Sequence, residues 1–93
     1  MSKLEGRTYI VTGAGSGIGA ATVARLIEDG ANVVAVDLDQ AAAQKTLDGL
    51  GLDASRAVAV GVDVSDEDKV DAMTAEGIAK FGGLDGVVNC AGV

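Results

Sequence analysis

Hydrophobic and polar positions along the chain predict four strands separated by three helices. Four runs rich in β-branched residues recur, with centres that are apolar almost without interruption: Thr8 to Thr12, Asn32 to Val36, Ala57 to Val64 and Leu84 to Cys90. Continuous rather than alternating hydrophobicity is typical of strands buried on both faces, as in a parallel sheet covered by helices.

Three segments of helical length lie between these runs. The first, Ile18 to Asp29, is followed by Gly30, where a glycine would end a helix, and the second is the Ala-rich segment Asp39 to Leu50. The third begins with a capping segment of Ser and acidic residues at 65–68 and ends at Gly82. Apolar residues define one face of the first helix, at 18, 23, 26 and 27, and of the third, at 70, 73, 78 and 81.

The βαβαβαβ order predicts a doubly wound α/β sheet with right-handed crossovers, and we interpret residues 1–93 as one incomplete domain of this kind. In that order the fourth strand lies beside the first and has a second edge without a partner. The side chains expected along this edge are uncharged: Val87, Val88, Cys90 and Val93. We therefore expect the chain to self-associate as a homo-oligomer.

Composition and charge exclude several classes of protein. Lys and Arg number 7 against 14 Asp and Glu, a net charge of -7 that repels nucleic acid. One cysteine excludes an internal disulfide, and without histidine a metal site is remote. The first residues lack the apolar run of a signal peptide, and no stretch approaches the roughly 18 apolar residues of a membrane span. These features predict a cytoplasmic location and no membrane partner.

The segment between the first strand and the first helix, residues 12–20, is rich in glycine. A phosphate group can bind at a helix N-terminus, because the first N–H groups lack helical partners and the helix dipole is positive there. Two alignments compete: Gly15-x-Gly17-x-x-Ala20 matches the general dinucleotide fingerprint, whereas Thr12-Gly13-x-x-x-Gly17-x-Gly19 starts the loop where the strand stops.

We favour the second alignment. It assigns the tight turn to Gly13, the close approach of phosphate to Gly17, and the contact between helix and strand to Gly19. The alternative is a glycine-rich turn without a ligand.

Asp37 closes the second strand, 24 positions after Gly13, near the spacing of about 20 at which an acidic residue receives the ribose hydroxyls of NAD. A carboxylate accepts hydrogen bonds from a vicinal diol and repels a 2′-phosphate. Ser16 and Leu38, from which a cation could meet that phosphate, are uncharged, so NAD is favoured over NADP. Alternatively, Asp37 only caps the following helix, although Asp39 competes for that role.

Asp63 and Val64 end the third predicted strand at the same carboxyl edge, where ligands of open α/β sheets bind. A carboxylate there can accept a hydrogen bond from an adenine amino group, while the next backbone N–H donates to the ring. The alternative is a solvated aspartate at a strand end.

Four motifs in this order resemble the amino-terminal half of a short-chain dehydrogenase/reductase. They are Thr12-Gly-x-x-x-Gly-x-Gly19, Asp37, Asp63-Val64 and Val88-Asn-Cys-Ala-Gly92. The resemblance covers essentially the whole chain and implies a Rossmann fold and NAD(P)-dependent oxidoreduction of an alcohol or carbonyl. With the preference at Asp37, it implies NAD contacts at Gly13, Ser16, Gly17, Ile18, Gly19, Asp37, Leu38, Asp63, Val64, Asn89, Ala91 and Gly92.

The sequence departs from that family in two respects. Cys90 replaces the second Asn of the usual Asn-Asn-Ala-Gly, so we expect a small buried apolar side chain there and a strand-stabilising role kept by Asn89. The family's catalytic Ser and Tyr-x-x-x-Lys lie beyond the fourth strand. The one tyrosine here is Tyr9, followed four positions later by Gly13, so we assign no catalytic residue and expect the small alcohol or carbonyl substrate to be bound by a catalytic half.

Three other interpretations stay open at this point. A free-standing nucleotide-binding or NAD-sensing module needs the same loop and the same Asp37. A methyltransferase also combines a glycine-rich loop with an acidic strand end, although Thr12-Gly13 and Asn89-x-Ala91-Gly92 count against it. The third is a fragment without activity.

Overall fold

A computed structural model describes residues 5–15, 17–50, 56–63 and 65–90. Its elements follow the predicted order: β1 (Thr8–Thr12), α1 (Gly17–Glu28), β2 (Asn32–Asp37), α2 (Gln40–Gly49), β3 (Ala57–Gly61), α3 (Glu67–Phe81) and β4 (Gly86–Asn89).

The four strands form one parallel sheet in the order β3-β2-β1-β4. The predicted α/β architecture and the position of β4 beside β1 are therefore confirmed. Because all strands are parallel, their carboxyl ends meet at one edge of the sheet. Backbone hydrogen bonds extend the pairing there: Ala14 N–H donates to the Val36 carbonyl at 2.9 Å, and Val62 N–H donates to the Asp37 carbonyl at 3.0 Å.

Helices cover both faces of the two central strands, β1 and β2, as the continuous apolar runs predict. The four central residues of β2, from Val33 to Val36, are each at most 1% exposed. Helices α1 and α2 pack on one face. Val23 and Ile27 of α1 and Leu47 of α2 lie there in one buried cluster with alternate residues of the strands. Helix α3 packs on the other face through Met73. Burial of such aliphatic side chains stabilises the fold by roughly 1.5–3 kcal/mol each.

Aspartate caps at helix starts and glycines at helix ends lie close to where the sequence predicts them. Gly30 adopts a positive φ of 95° after α1, and Gly82 a φ of 85° after α3. The carboxylate of Asp39 accepts a hydrogen bond from Ala41 N–H at the start of α2, and Asp66 caps α3. Arg56, which carries no signal of this contact in the sequence, lies just before β3. One of its guanidinium nitrogens donates to the Ile27 and Ala31 carbonyls at 3.0 and 2.9 Å and so links the start of β3 to the end of α1.

Strands β3 and β4 are both shorter than the sequence predicts. β3 ends at Gly61 rather than Val64, because the chain turns at Asp63 to enter α3. β4 begins at Gly86 rather than Leu84, although Asp85 N–H still donates to the Thr8 carbonyl at 2.8 Å.

Two apolar residues were assigned to the wrong helix surface. Ile18 is 59% exposed and Ile78 is 40% exposed. In each helix the residue next to it in sequence, Gly19 or Gly77, is buried instead. The missing side chain of a glycine lets a helix approach its neighbour closely, so the buried stripe follows the glycine rather than the isoleucine.

Within the described ranges, no helix is long and apolar enough to span a membrane. In the same ranges, no group of three or more His, Cys, Asp or Glu side chains is arranged to hold a metal ion.

We expect the edge strand β4 to mediate self-association. Its outer edge has no partner strand in the described part of the chain, and Val87 is 60% exposed. Because lysine on an edge strand deters pairing with other chains, Val87→Lys should shift the chain from oligomers toward monomer in light scattering. Ile78→Lys places the same charge on the exposed surface of α3 and should leave the oligomer distribution unchanged. A monodisperse monomeric parent chain would contradict the prediction.

Candidate functional site

The loop between β1 and α1 turns at Gly13, which has a positive φ of 69°. Gly19 is buried against this turn: a Cβ atom at Gly19 would overlap the carbonyl oxygen of Gly13 and lie 3.0 Å from Ala14 Cα. The pair therefore brings the first turn of α1 against the end of β1 with no room for a side chain. This geometry supports the alignment that begins at Thr12-Gly13.

Gly17, the first residue of α1, has the opposite surroundings. A Cβ atom built on it meets no atom of the described residues within 4 Å. The fold itself therefore leaves room for a side chain at this position, and the glycine keeps open space in front of the helix N-terminus. Such a space admits an anion toward the positive end of the helix dipole.

Gly15 is crowded from the side of α2. A Cβ atom there would lie 2.6 Å from the Ala42 Cβ and 3.0 Å from the Asp37 Oδ2. In the other alignment Gly15 was the first glycine of the fingerprint, but its φ is not in the positive range. The structure gives it a different role, because this glycine lets the loop, α2 and the end of β2 meet.

Asp37 lies at the end of β2 and contacts the loop directly. Its Oδ2 accepts a hydrogen bond from Gly15 N–H at 2.9 Å, and its Oδ1 accepts one from Asp39 N–H at 3.1 Å. Asp39, not Asp37, caps α2, so the interpretation of Asp37 as a helix cap is wrong. Leu38, between them, is 76% exposed and borders the same edge.

Asp63 lies beyond the end of β3 at the same edge, where it is exposed and organises a turn. Its Oδ1 accepts hydrogen bonds from the hydroxyl and the backbone N–H of Ser65 at 2.7 and 2.9 Å. These two bonds lower the pKa of the Asp63 carboxyl below its usual value. The group is therefore ionised at neutral pH and can accept, but not donate, a hydrogen bond.

Asn89 joins the ends of β4 and β1, since its Oδ1 accepts a hydrogen bond from the Thr12 hydroxyl at 2.8 Å. Cys90 follows it and is buried in the cluster beneath α1, with its Sγ 3.9 Å from the Thr22 hydroxyl. The strand-stabilising contact expected of Asn89 and the buried position expected of Cys90 both agree with the structure.

The carboxyl edge of the sheet thus brings Gly13, Gly17, Asp37, Asp63 and Asn89 to one side of the molecule. Ile18 is exposed at the start of α1, and Gly19 is buried behind it. Four further predicted site residues lie outside the described residues: Ser16, Val64, Ala91 and Gly92.

Thr46 on α2 was not predicted to belong to the site. Its hydroxyl donates to the carbonyl oxygen of Ala14, inside the loop, at 3.0 Å. A lone hydroxyl in a helix otherwise rich in alanine is a sequence signal for such a contact. Its partner, however, lies 32 residues away and is not readable from the sequence.

Comparison with known proteins agrees with this architecture. The sequence model of the short chain dehydrogenase family matches residues 7–93. The chain belongs to the short-chain dehydrogenase family. This membership removes the methyltransferase interpretation.

The relatives of this short-chain dehydrogenase include a named diol dehydrogenase and proteins whose structures contain NAD or NADH. It is 43% identical, over its full length, to a 2,5-dichloro-2,5-cyclohexadiene-1,4-diol dehydrogenase of Sphingobium indicum, of which it covers 36%. A short chain dehydrogenase of Mycobacterium paratuberculosis, solved bound to NAD, superposes with a TM-score of 0.88 at 33% identity, over 98% of this chain and 38% of that one.

A 3-ketoacyl-(acyl-carrier-protein) reductase of Brucella melitensis, solved with NADH, superposes with a TM-score of 0.82 at 40% identity, over 91% of this chain and 34% of that one. The chain thus spans about a third of the length of the relatives it matches.

Alanine at the two glycines of the first turn of α1 should have opposite effects on stability. Gly17→Ala is expected to raise the free energy of unfolding by about 0.4–1 kcal/mol, because the site is open and alanine lowers the entropy of the unfolded chain. Gly19→Ala should lower it by about 1–3 kcal/mol, because the new methyl group overlaps backbone. Urea unfolding followed by circular dichroism measures both. Equal effects of the two variants would contradict the assigned roles.

Proposed function

We propose that this chain is the cofactor-binding part, about a third of the length, of an NAD-dependent short-chain dehydrogenase. The observation that carries the proposal is the position of Asp37, whose carboxylate lies 2.9 Å from Gly15 N–H in the glycine-rich loop. An acceptor for ribose hydroxyls is thereby adjacent to a helix N-terminus suited to phosphate. Family membership supports the same conclusion independently.

The residues present fit a dinucleotide. The open space at Gly17 is where a pyrophosphate can approach α1, with Gly13 and Gly19 shaping the loop behind it. Asp37 and the exposed Leu38 would border the adenosine ribose. Asp63 and Val64, which follow β3 in the sequence, would contact the adenine ring, and the segment from Asn89 to Gly92 would contact the nicotinamide half.

NAD is preferred over NADP because of the charge at Asp37. A 2′-phosphate on the ribose would face this carboxylate, and Ser16 and Leu38 provide no cation to offset it. Two relatives of known structure hold NAD or NADH, which supports the same choice.

A bound nicotinamide would supply hydride exchange with the carbon of an alcohol or carbonyl substrate. This chain's own residues bind and orient the dinucleotide. The 93-residue sequence has no Tyr-x-x-x-Lys pair, since its one tyrosine, Tyr9, precedes Gly13 by four positions. We therefore propose that proton transfer and substrate recognition belong to the remaining two thirds of a protein as long as its relatives.

The first test compares NADH with NADPH. We expect the parent chain to bind NADH at least about tenfold more tightly, corresponding to roughly 1.4–3 kcal/mol of charge repulsion at Asp37. Asp37→Asn should reduce the ratio of the NADH affinity to the NADPH affinity, mainly by improving NADPH binding. Asp39→Asn removes the same charge two residues away, where asparagine caps α2 equally well, and should keep the parental ratio. Fluorescence titration measures both affinities, and equal affinities in the parent would overturn the assignment of Asp37.

The second test fills the open space at the start of α1. Gly17→Val should abolish NADH binding in calorimetry, because the branched side chain occupies the approach to the helix N-terminus, while most helical signal in circular dichroism persists. Gly49→Val introduces the same side chain at a second open position, near the far end of α2, and should bind NADH like the parent. If Gly17→Val bound NADH as tightly as the parent, this loop would not be the phosphate site.

A further inference from the structure

One peptide group of the loop, which joins Ala14 to Gly15, is held from both sides. Its carbonyl oxygen accepts a hydrogen bond from the Thr46 hydroxyl on α2 at 3.0 Å. Its N–H, which belongs to Gly15, donates to the Asp37 Oδ2 at 2.9 Å. The described peptide bonds are all trans, so the carbonyl and N–H of this planar group point in opposite directions. Fixing one therefore fixes the direction of the other.

The two residues joined by this peptide differ in how firmly the fold holds them. Ala14 is fully buried, and its own N–H is already bonded to the Val36 carbonyl on β2 at 2.9 Å. Gly15 is exposed, has no side chain to hold it, and can rotate its backbone more freely than other residues. A rotated peptide would turn its N–H away from Asp37 and present a carbonyl oxygen to the site. An oxygen in that direction would repel the Asp37 carboxylate, which now accepts a hydrogen bond from this peptide.

The surroundings of Thr46 agree with a role in the loop. Its single hydroxyl hydrogen is shared between the Ala14 carbonyl at 3.0 Å and the carbonyl of Ala42, one turn earlier in α2, at 3.3 Å. Ala42 in turn occupies the space in which a Gly15 side chain would lie. Helix α2 therefore supports the loop through a small residue, Ala42, and a hydrogen bond from Thr46 on the next turn.

We infer that Thr46 is a positioning residue of the dinucleotide site, which holds the Ala14–Gly15 peptide with its N–H toward Asp37 and its carbonyl away from the ligand. This inference rests on the proposed function. Thr46 acts through the loop and does not contact the dinucleotide.

The test uses Thr46→Val, which keeps the shape of the side chain and removes its hydroxyl. Among chains that are fully folded at the assay temperature, we expect NADH to bind about three- to tenfold more weakly, the effect of one hydrogen bond. Thr46→Ser, which restores the hydroxyl, should bind within about twofold of the parent, since such a difference is under 0.5 kcal/mol.

Thr74→Val is the matched control. The Thr74 hydroxyl also donates to a carbonyl one turn earlier, that of Val70 at 2.9 Å, but α3 lies on the opposite face of the sheet. The control should lose stability and keep parental affinity. If Thr46 only stabilised the fold, Thr46→Val would behave in the same way, and that result would overturn the inference.

Amide hydrogen exchange without ligand separates this inference from the proposed function. In Thr46→Val the Gly15 amide should exchange faster, while the amides of Val34 and Ala35 in β2 keep the rates expected from global stability. Uniform acceleration, or no change at Gly15, would overturn the inference. Failure of the parent chain to bind NADH would instead overturn the proposed function, and the exchange data would still decide whether Thr46 orients the peptide.

Discussion

Close contact between the backbones of Gly13 and Gly19 is the constraint on which most of this structure depends. It brings the start of α1 against the end of β1 at a distance that no side chain permits. α1 is thereby held against the sheet, and Val23 and Ile27 become buried in one cluster with residues of β1 and β2. The same contact sets the path of the loop, so that Ala14 reaches the core while Gly15 and Gly17 remain at the exposed edge.

With the proposed function, stability and ligand recognition would use the same atoms at this edge. The Asp37 carboxylate already accepts one backbone hydrogen bond at each oxygen, and its remaining lone pairs would be available to a ribose diol. The bond from Gly15 N–H already holds Gly15 and Asp37 together, which would reduce the entropy lost on binding. A ligand present at about 100 times its dissociation constant would still stabilise the chain by roughly 2.7 kcal/mol.

Features with a local signal were predictable from the sequence, and features that depend on the approach of distant elements were not. Continuous apolar runs, Asp39 before α2 and Gly82 after α3 lie next to the elements that they define. The burial of Gly77 in place of Ile78 depends on how closely α3 approaches Val34. Likewise, the bond from Thr46 to Ala14 depends on the height of α2 above the loop. Asp63 was recognised as a residue of the carboxyl edge, but its bonds to Ser65 follow from the path into α3.

The replacement of asparagine by Cys90 shows how parallel topology separates the site from the core. Neighbouring residues of a strand point to opposite faces of the sheet. Asn89 is exposed and bonds the Thr12 hydroxyl at the carboxyl edge, whereas Cys90 is buried in the apolar cluster under α1. A small polarizable thiol suits that position, where its sulfur lies near the Thr22 hydroxyl. The departure from the family therefore alters packing beneath α1 and leaves the bond between β1 and β4 in place. The reason is that Asn89 and Cys90, although adjacent in sequence, lie in the exposed edge and in the buried cluster respectively.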